Sequence, residues 1–449
     1  MLTWMRKKTK TIMIVVAVLF LGSMFYGLGY SGLKGDFGGG KSSKELAKVN
    51  GRPVDAIRYQ EMVNRVASSY GPNITPADMA MIDSLALAQS IDFTLMRQEA
   101  DKSVKVSGAE IDGAVNNIMQ QQKIQSKKDL EEALKRMGLS LGGFREYIKD
   151  DILVQKFQQK MQESVVLTPD DLREVRASHI LVSTEAAAKD MLQQLRGGAK
   201  FAALARQYSL DPGTASKGGD LGYFSAGMMV EAFDKAAFGL KPGELSGIIQ
   251  TPFGYHILLV TDSRLRKFPG ANDQEKEKAA LQDKQQKTFR RWYSGVRSKA
   301  KIEIINPVLK GHDLRFKGHL SEAIEQYRLA AVQTPTNPYI HIYMGDSYLA
   351  MGRKDLAMPE YENAVRVEGG NPELYLVIGN VYNKIGEKTL ANEQYHKASL
   401  VAGDNKPLHE KLLKIFELMK RPAEVAREKA ELARLAKREK FEKELTGGK

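Results

Sequence analysis

A chain of 449 residues with 43% hydrophobic content has material for two to four domains and is too apolar for wholesale disorder. It contains no cysteine, which excludes disulfides, thiolate zinc sites, a cysteine nucleophile and a cysteine-borne lipid anchor. The formal charge of +13 arises from lysines and arginines interleaved with acids, without a basic stripe carrying aromatics. Nucleic acid is therefore not an expected partner; an anionic membrane surface or acidic clients fit better.

Residues 11–33, TIMIVVAVLFLGSMFYGLGYSGL, hold no charge and follow Arg6, Lys7, Lys8 and Lys10. About 20 apolar residues span a bilayer as a helix. The stretch predicts a transmembrane anchor with Phe25, Tyr26 and Tyr30 near its far interface. The basic cluster sets residues 1–33 as a cytoplasmic end plus anchor, although Lys34, Lys41 and Lys44 weaken the bias. A cleaved signal peptide is the alternative, but the stretch is long for one and no convincing small-x-small cleavage site follows. GDFGGGKS, residues 35–42, then fits the phosphate-loop pattern letter for letter. A working phosphate loop leaves a buried strand and enters a helix N-terminus. Here an apolar segment precedes it, so residues 34–44 are expected to be a Gly/Ser linker and not a nucleotide site.

ELAKVNGRPV, residues 45–54, predicts a short strand ending in an Asn-Gly turn. Four or five helical patterns follow to about residue 164, with start signals at Asp55, Thr75-Pro76, Ser107 with Glu110, Ser126 and Ser140. No catalytic cluster stands among them. At Leu167-Thr168-Pro169 the texture changes to strand-like runs (SHILV, HILLV), short helices and many glycines, which predicts a compact α+β domain. A charged helix over 272–300 leads into strand-like KIEIIN.

From Ile304, Pro338 and Pro372 the sequence repeats every 34 residues. Gly311, Gly345 and Gly379 correspond, as do Ala323, Ala357 and Ala391, and Tyr327, Tyr361 and Tyr395. Small residues let two helices approach, and the aromatic fills the space between neighbours. This is the tetratricopeptide spacing, and three copies are about the minimum that bury a continuous core.

The chemistry is expected between residues 177 and 262. Two of the seven histidines, His179 and His256, each open an apolar strand, and Asp211 lies in a glycine-rich loop. Taken singly, each histidine is more often structural than functional. The run resembles the parvulin family of peptidyl-prolyl cis-trans isomerases. The resemblance is carried by A-S-H-I-L, Y-S-x-D, G-G-D-L-G-Y-F, F-D-x-A-A-F-x-L-x-P-G-E-x-S and F-G-Y-H-I, in that order. It implies a polar network of His179, Asp211, Thr251 and His256. It also implies a proline pocket of Leu221, Met229 and Phe233, with Phe253 at the rim. Many parvulins carry cysteine where this chain has Asp211, which argues against covalent chemistry. The loop after the first strand reads Ser183-Thr184-Glu185-Ala186, without the basic residues of phosphate-directed members. No metal and no cofactor are expected, because rotation about an X-Pro bond breaks no bond.

The wider order of segments resembles the anchored envelope foldases of the PpiD, SurA and PrsA type. The expected fold class is multidomain: an N-terminal transmembrane helix, an all-α chaperone domain, an α+β parvulin domain and an all-α tetratricopeptide solenoid. The helical chaperone domain is placed at 45–170, the parvulin domain at 171–265, and a return helix and strand at 266–305. By the resemblance, that return segment packs on the chaperone domain and strand 301–305 pairs with 45–49. The repeats occupy 306–405, and capping helices with a charged tail occupy 406–449. The implied function is a prolyl isomerase and foldase on the periplasmic side of the cytoplasmic membrane, held by a single pass. Its partners would be unfolded or proline-containing polypeptides, with a further protein on the repeats. The alternative is a non-catalytic chaperone or repeat-based scaffold with a weak or silent parvulin domain.

Overall fold

The computed structural model describes residues 45–70, 74–136 and 138–446. Contacts divide the chain into two compact units. One is continuous, Val154–Lys299; the other joins the residues up to Leu153 with those from Ala300 onward. Seven strands are found among the described residues: β1 (Ala47–Val49), β2 (Arg52–Pro53), β3 (Arg173–Val182), β4 (Asp220–Ser225), β5 (Ile249–Thr251), β6 (Gly254–Leu265) and β7 (Ile302–Ile304). They form two antiparallel sheets, ordered β2-β1-β7 and β4-β3-β6-β5.

In the discontinuous unit, β1 turns into β2 through Asn50 and Gly51, both at left-handed φ (52° and 81°), which suits an Asn-Gly pair. β1 pairs on its other edge with β7, Ala47 opposite Ile304, so the chain closes on its own beginning. Helices Ala56–Ala67, Pro76–Asp101, Gly108–Gln121 and Lys127–Arg136 follow, and Leu141–Glu163 runs on into the continuous unit. Their starts are chemically marked. Asp55 accepts from the Arg58 amide, and Thr75 with Asp78 and Ser107 with Glu110 form capping boxes. Arg58 is buried between the Phe93 and Tyr147 rings (3.9 and 3.8 Å) and reaches Asp151 at 2.7 Å. Its charge survives burial because carboxylates and ring faces surround it.

The C-terminal helices come in pairs: Pro307–Phe316 with Leu320–Gln333, Tyr339–Ala350 with Lys354–Val367, and Pro372–Lys384 with Lys388–Val401. In each pair a glycine of the first helix lies against a buried tyrosine of the second: Gly311 on Tyr327, Gly345 on Tyr361 and Gly379 on Tyr395. A Cβ at Gly345 or Gly379 would sit 2.7 or 2.6 Å from the ring. That close approach is the physical content of the 34-residue spacing. Helices Lys406–Leu418 and Pro422–Thr446 close the end, with Ser399 and His409 both bonded to the buried Glu428.

The expected fold class needs correcting in one place. The transmembrane helix expected over 11–33 lies outside the described residues, and among the described residues no helix is long and apolar enough to cross a membrane. Charge is the reason: even in Pro76–Asp101 the apolar run is interrupted by Asp78, Asp83, Asp92 and Arg97. The N- and C-terminal regions are otherwise helical as expected, and the expected pairing of strand 301–305 with 45–49 is met by β7 on β1. The N-terminal helices carry the β2-β1-β7 sheet, whose β7 strand comes from beyond residue 300. Ala80 of Pro76–Asp101 shares a core with Ala323, Tyr327, Ile340, Tyr343 and Met344, which ties the C-terminal helices to the same unit.

The continuous unit is built on β3 and β6, whose side chains alternate between two faces. Val175 and Ala177 of β3, with Leu258 and Val260 of β6, pack with Phe224, Phe233 and Phe238 in one core. Ile180, Val182 and Ile257 point the other way, into a core with Met191, Phe201 and Leu204 from helices Glu185–Arg196 and Phe201–Tyr208.

Candidate active site

Alternation and register bring the two histidines together. His179 opposes Leu258, and His256 opposes Leu181, so they are diagonal neighbours across the β3–β6 ladder. Parity places both on the face that holds Phe233, where they are buried. Their rings stack with centroids 5.4 Å apart and planes 16° from parallel. His179 is further fixed through its amide, which donates to the Gly219 carbonyl at 2.9 Å. Gly219 has φ +84°, and a Cβ there would collide with the His179 carbonyl oxygen, so a residue without a side chain is required.

Hydrogen bonds run from ring to ring. Thr251 Oγ1 lies 2.8 Å from His256 Nε2, His256 Nδ1 lies 3.2 Å from His179 Nδ1, and His179 Nε2 lies 2.8 Å from Asp211 Oδ2. Only one set of proton positions satisfies neutral rings throughout. An ionised Asp211 can only accept, so His179 Nε2 carries hydrogen and its Nδ1 is bare. His256 Nδ1 must then donate, its Nε2 is bare, and the Thr251 hydroxyl donates to it. Electrostatics agree. Burial, with His179 as the second cause, pushes the His256 pKa down to about 4, so its ring is neutral near pH 7. Burial acts to raise the Asp211 pKa, yet hydrogen bonds from Thr214, His179 and the Gly213 amide together hold it below the ordinary carboxylate value.

Above this floor lies an apolar wall. The buried Phe233 ring stands edge-on to both histidines, 5.8 Å from His179 and 5.4 Å from His256, with interplanar angles of 76° and 88°. Leu221 and Met229 pack against the same core at partly exposed positions. Phe253 is 71% exposed, and its amide donates to Thr251 Oγ1 at 3.1 Å. The structure thus joins His179, Asp211, Thr251 and His256 in one chain, gathers Leu221, Met229 and Phe233 in one core, and leaves Phe253 outside it.

Two further residues belong to the arrangement and escaped the reading of the sequence. Thr214 donates its hydroxyl to Asp211 Oδ2 and lies 3.1 Å from His179 Nε2. Its signal is the three-residue offset in Asp211-Pro-Gly-Thr214, where a short polar turn folds side chains back on one another. Asp234 accepts amide hydrogen bonds from Gly227 and Met229, and so fixes the loop that presents Met229. No group of three His, Asp or Glu side chains is placed to hold a metal among the described residues.

Comparison with known proteins covers both parts of this region. A PPIC-type PPIase domain family matches residues 152–264, and a SurA-like N-terminal domain family matches residues 1–158. The foldase protein PrsA of Caldanaerobacter subterraneus is 32% identical over 286 residues, 58% of this chain and 87% of its own length. That of Halalkalibacterium halodurans is 31% identical over 238 residues, covering 50% of this chain and 67% of the relative. The Geobacillus kaustophilus PrsA is 40% identical over 174 residues, 37% of this chain and 59% of its own. The crystal structure of a peptidylprolyl isomerase (PrsA) from Bacillus anthracis aligns over 47% of this chain and 96% of its own, at 30% identity and a TM-score of 0.29.

Proposed function

The chain belongs to the PrsA family of foldases and carries their PPIC-type peptidyl-prolyl isomerase domain, and from that premise we propose how and on what its site acts. The clients are unfolded polypeptides newly delivered to the extracytoplasmic side, presented with an X-Pro bond exposed. The pyrrolidine ring enters the cup of Leu221, Met229 and Phe233, and the residues beside it lie across Phe253. Rotation meets a barrier of roughly 18–20 kcal/mol because amide resonance is lost midway. A twisted amide has weaker carbonyl polarity, so removing water costs it less than it costs the planar form. The chain of Thr251, His256, His179 and Asp211 serves as a preorganised floor whose dipoles are fixed before the proline arrives.

The observation that carries this reading is the buried Phe233 ring set edge-on against both histidines, which puts an apolar wall and a fully partnered polar floor side by side. Lack of a phosphate requirement is supported by the loop after β3. Thr184 is used there to cap Glu185–Arg196, and the nearby Lys189 is paired with Glu185 at 2.7 Å. We assign 171–265 to the isomerase and 45–170 with 266–305 to client holding. The tetratricopeptide-like spacing of the C-terminal helix pairs supports a protein partner for them.

The test is cis-trans exchange at an Ala-Pro bond of a short peptide, followed by magnetisation-exchange NMR with the full chain. Wild type is expected to accelerate exchange, and Phe233→Leu and Thr251→Val to lose most of the acceleration while keeping native circular dichroism. Equal rates in the well-folded variants would remove these residues from the site. No acceleration by wild type would leave the unit as a binding domain.

A further inference from the structure

A second surface of the continuous unit has the chemistry of a peptide groove. The C-terminal end of helix Leu141–Glu163 lies beside helix Asp273–Lys299, and between them opens a cleft of about 510 Å³. That volume is within the range of built ligand clefts, about 300–1,000 Å³. One wall presents Gln158, Met161, Gln162 and Val165; the other presents Gln282, Gln285, Gln286 and Phe289, with Thr288 beside them. On the second wall these residues follow the i, i+3, i+4, i+7 spacing of one helix face, while on the first Gln158, Met161 and Gln162 share a helix face and Val165 lies two residues past the helix end. Faces with that spacing ordinarily meet through apolar side chains and close on one another. Here five of the nine lining residues are glutamine, and a cleft remains between the helices.

The lining contains no charge, although charged residues make up 27% of the chain. The neighbouring charges are held elsewhere. Lys284 binds Asp171 at 2.6 Å and the Val166 carbonyl at 2.7 Å, while Asp283 takes Arg266 at 2.9 Å and Lys287 at 3.1 Å. These bonds also brace the second wall against the start of the sheet domain. The first wall is braced by Phe157 against Trp292, ring centroids 5.2 Å apart. Gln285 already bridges the walls, donating at 3.0 Å to the Gln162 carbonyl, which also accepts from the Val165 amide at 3.2 Å.

We propose that this cleft holds an extended, uncharged stretch of client polypeptide by its backbone. The side-chain amides of Gln162, Gln282 and Gln286 each bring donors and an acceptor, the complement of a peptide group. A helical occupant has its backbone groups already paired and would leave the amides without use. An extended chain has them open, and its side chains meet Met161, Val165 and Phe289. Charged segments are disfavoured because the cleft has no counter-charge to offer them. The proposal rests on the reading of the chain as a foldase and adds a holding site distinct from the proline cup.

The experiment is fluorescence anisotropy of a labelled ten-residue peptide, uncharged and free of proline, titrated with the full chain. Gln282 and Gln286 are exposed, so Gln282→Ala/Gln286→Ala spares the fold. Binding is expected to weaken roughly tenfold in that variant, and as much when alternate peptide nitrogens are methylated. Exchange at a short Ala-Pro peptide should be unchanged. Wild type that does not bind the peptide, a variant that binds as wild type does, or indifference to methylation would each overturn the groove. Loss of Ala-Pro exchange with peptide binding intact would overturn the isomerase reading and leave the groove standing.

Discussion

Buried histidines occur in both units, and they are treated differently. At the site, both nitrogens of His179 and both of His256 have partners, and the chain ends on a hydroxyl and a carboxylate. In the discontinuous unit, His312 is fully buried where Pro307–Phe316 meets Pro76–Asp101. Its Nδ1 lies 2.8 Å from the Tyr327 hydroxyl, while Nε2 has no hydrogen-bond partner and sits 3.8 Å from Asp83 Oδ2. Asp83 takes its one good bond from Tyr59, at 2.7 Å. Leaving a buried polar atom unpaired costs about 1–3 kcal/mol. The junction bears that cost because aromatic packing against Tyr327 and Tyr343 holds the ring. The site cannot work that way, since its floor must keep one orientation when a substrate replaces water. Hydrogen bonds hold the first region in shape and packing holds the second.

Glycine substitutions give the strongest test of that contrast. Gly219→Ala must meet the His179 carbonyl and adopt a left-handed φ, so it is expected to cost the continuous unit about 3–5 kcal/mol. Gly311→Ala drives a methyl into the Tyr327 ring, but its helical backbone is suitable for alanine, and a gain of about 1 kcal/mol in propensity offsets part of the overpacking. About 1–2 kcal/mol is expected there. Hydrogen-exchange protection of β3 and β6 reports the first and that of Tyr339–Ala350 the second. Equal losses would mean that packing governs both regions.

Carboxylate-to-amide changes come next. Asp211→Asn weakens bonds from His179 and Thr214 that now end on a charge, and is expected to cost about 1.5–3 kcal/mol with a fall in isomerisation. Asp83→Asn keeps an acceptor for Tyr59 and removes a carboxyl whose pKa burial raises to about 7. At pH 8 it should fall within about 1 kcal/mol of wild type or exceed it, because no buried charge remains unpaired. A large loss from Asp83→Asn would show that the junction depends on its polar contacts after all.

These differences explain what could be read in advance. Helix starts at Asp55, Thr75 and Ser107 were legible because a cap is a local contract between residues three apart. The glycine-tyrosine repeats were legible because the spacing recurs. His179, Asp211, Thr251 and His256 could be gathered only through resemblance. They lie up to 77 positions apart, and strand register, which joins them, depends on both strands at once. Thr214 was missed although its offset from Asp211 is local, since a threonine in a turn has many ordinary reasons to be there. The docking of the C-terminal helices was not legible at all. Asp83 and His312 each look like a solvated residue on an amphipathic helix, and only the shared core around Ala80 and Tyr343 shows both faces to be covered.

Acid response is the finest test. The folded-state pKa of His256 is lowered to about 4 from an ordinary 6.5. As pH falls between those values the unfolded chain takes up a proton that the folded site refuses, so stability of the continuous unit declines. Asp211, held below its ordinary 3.8, adds to the decline at the lower end. At the junction the two residues oppose one another. Burial, then Arg315, lowers the His312 pKa to about 3, which alone would give the same slope as His256. Asp83, raised to about 7, retains a proton where the unfolded chain has lost it, which gives the reverse slope. Between about pH 4 and 6.5 each state of the pair holds one proton, on His312 when unfolded and on Asp83 when folded, and the slopes cancel. Protection of β3 and β6 should therefore fall from pH 6.5 to about pH 4.5 in wild type and fall less in His256→Gln. Protection of Tyr339–Ala350 should respond identically in wild type and in Asp83→Asn/His312→Gln. The single change His312→Gln leaves Asp83 uncompensated, and protection should then rise with acid relative to wild type. If His312→Gln tracks wild type across this range, the proton does not pass between the two residues on folding, and the junction has no electrostatic balance to set against the site.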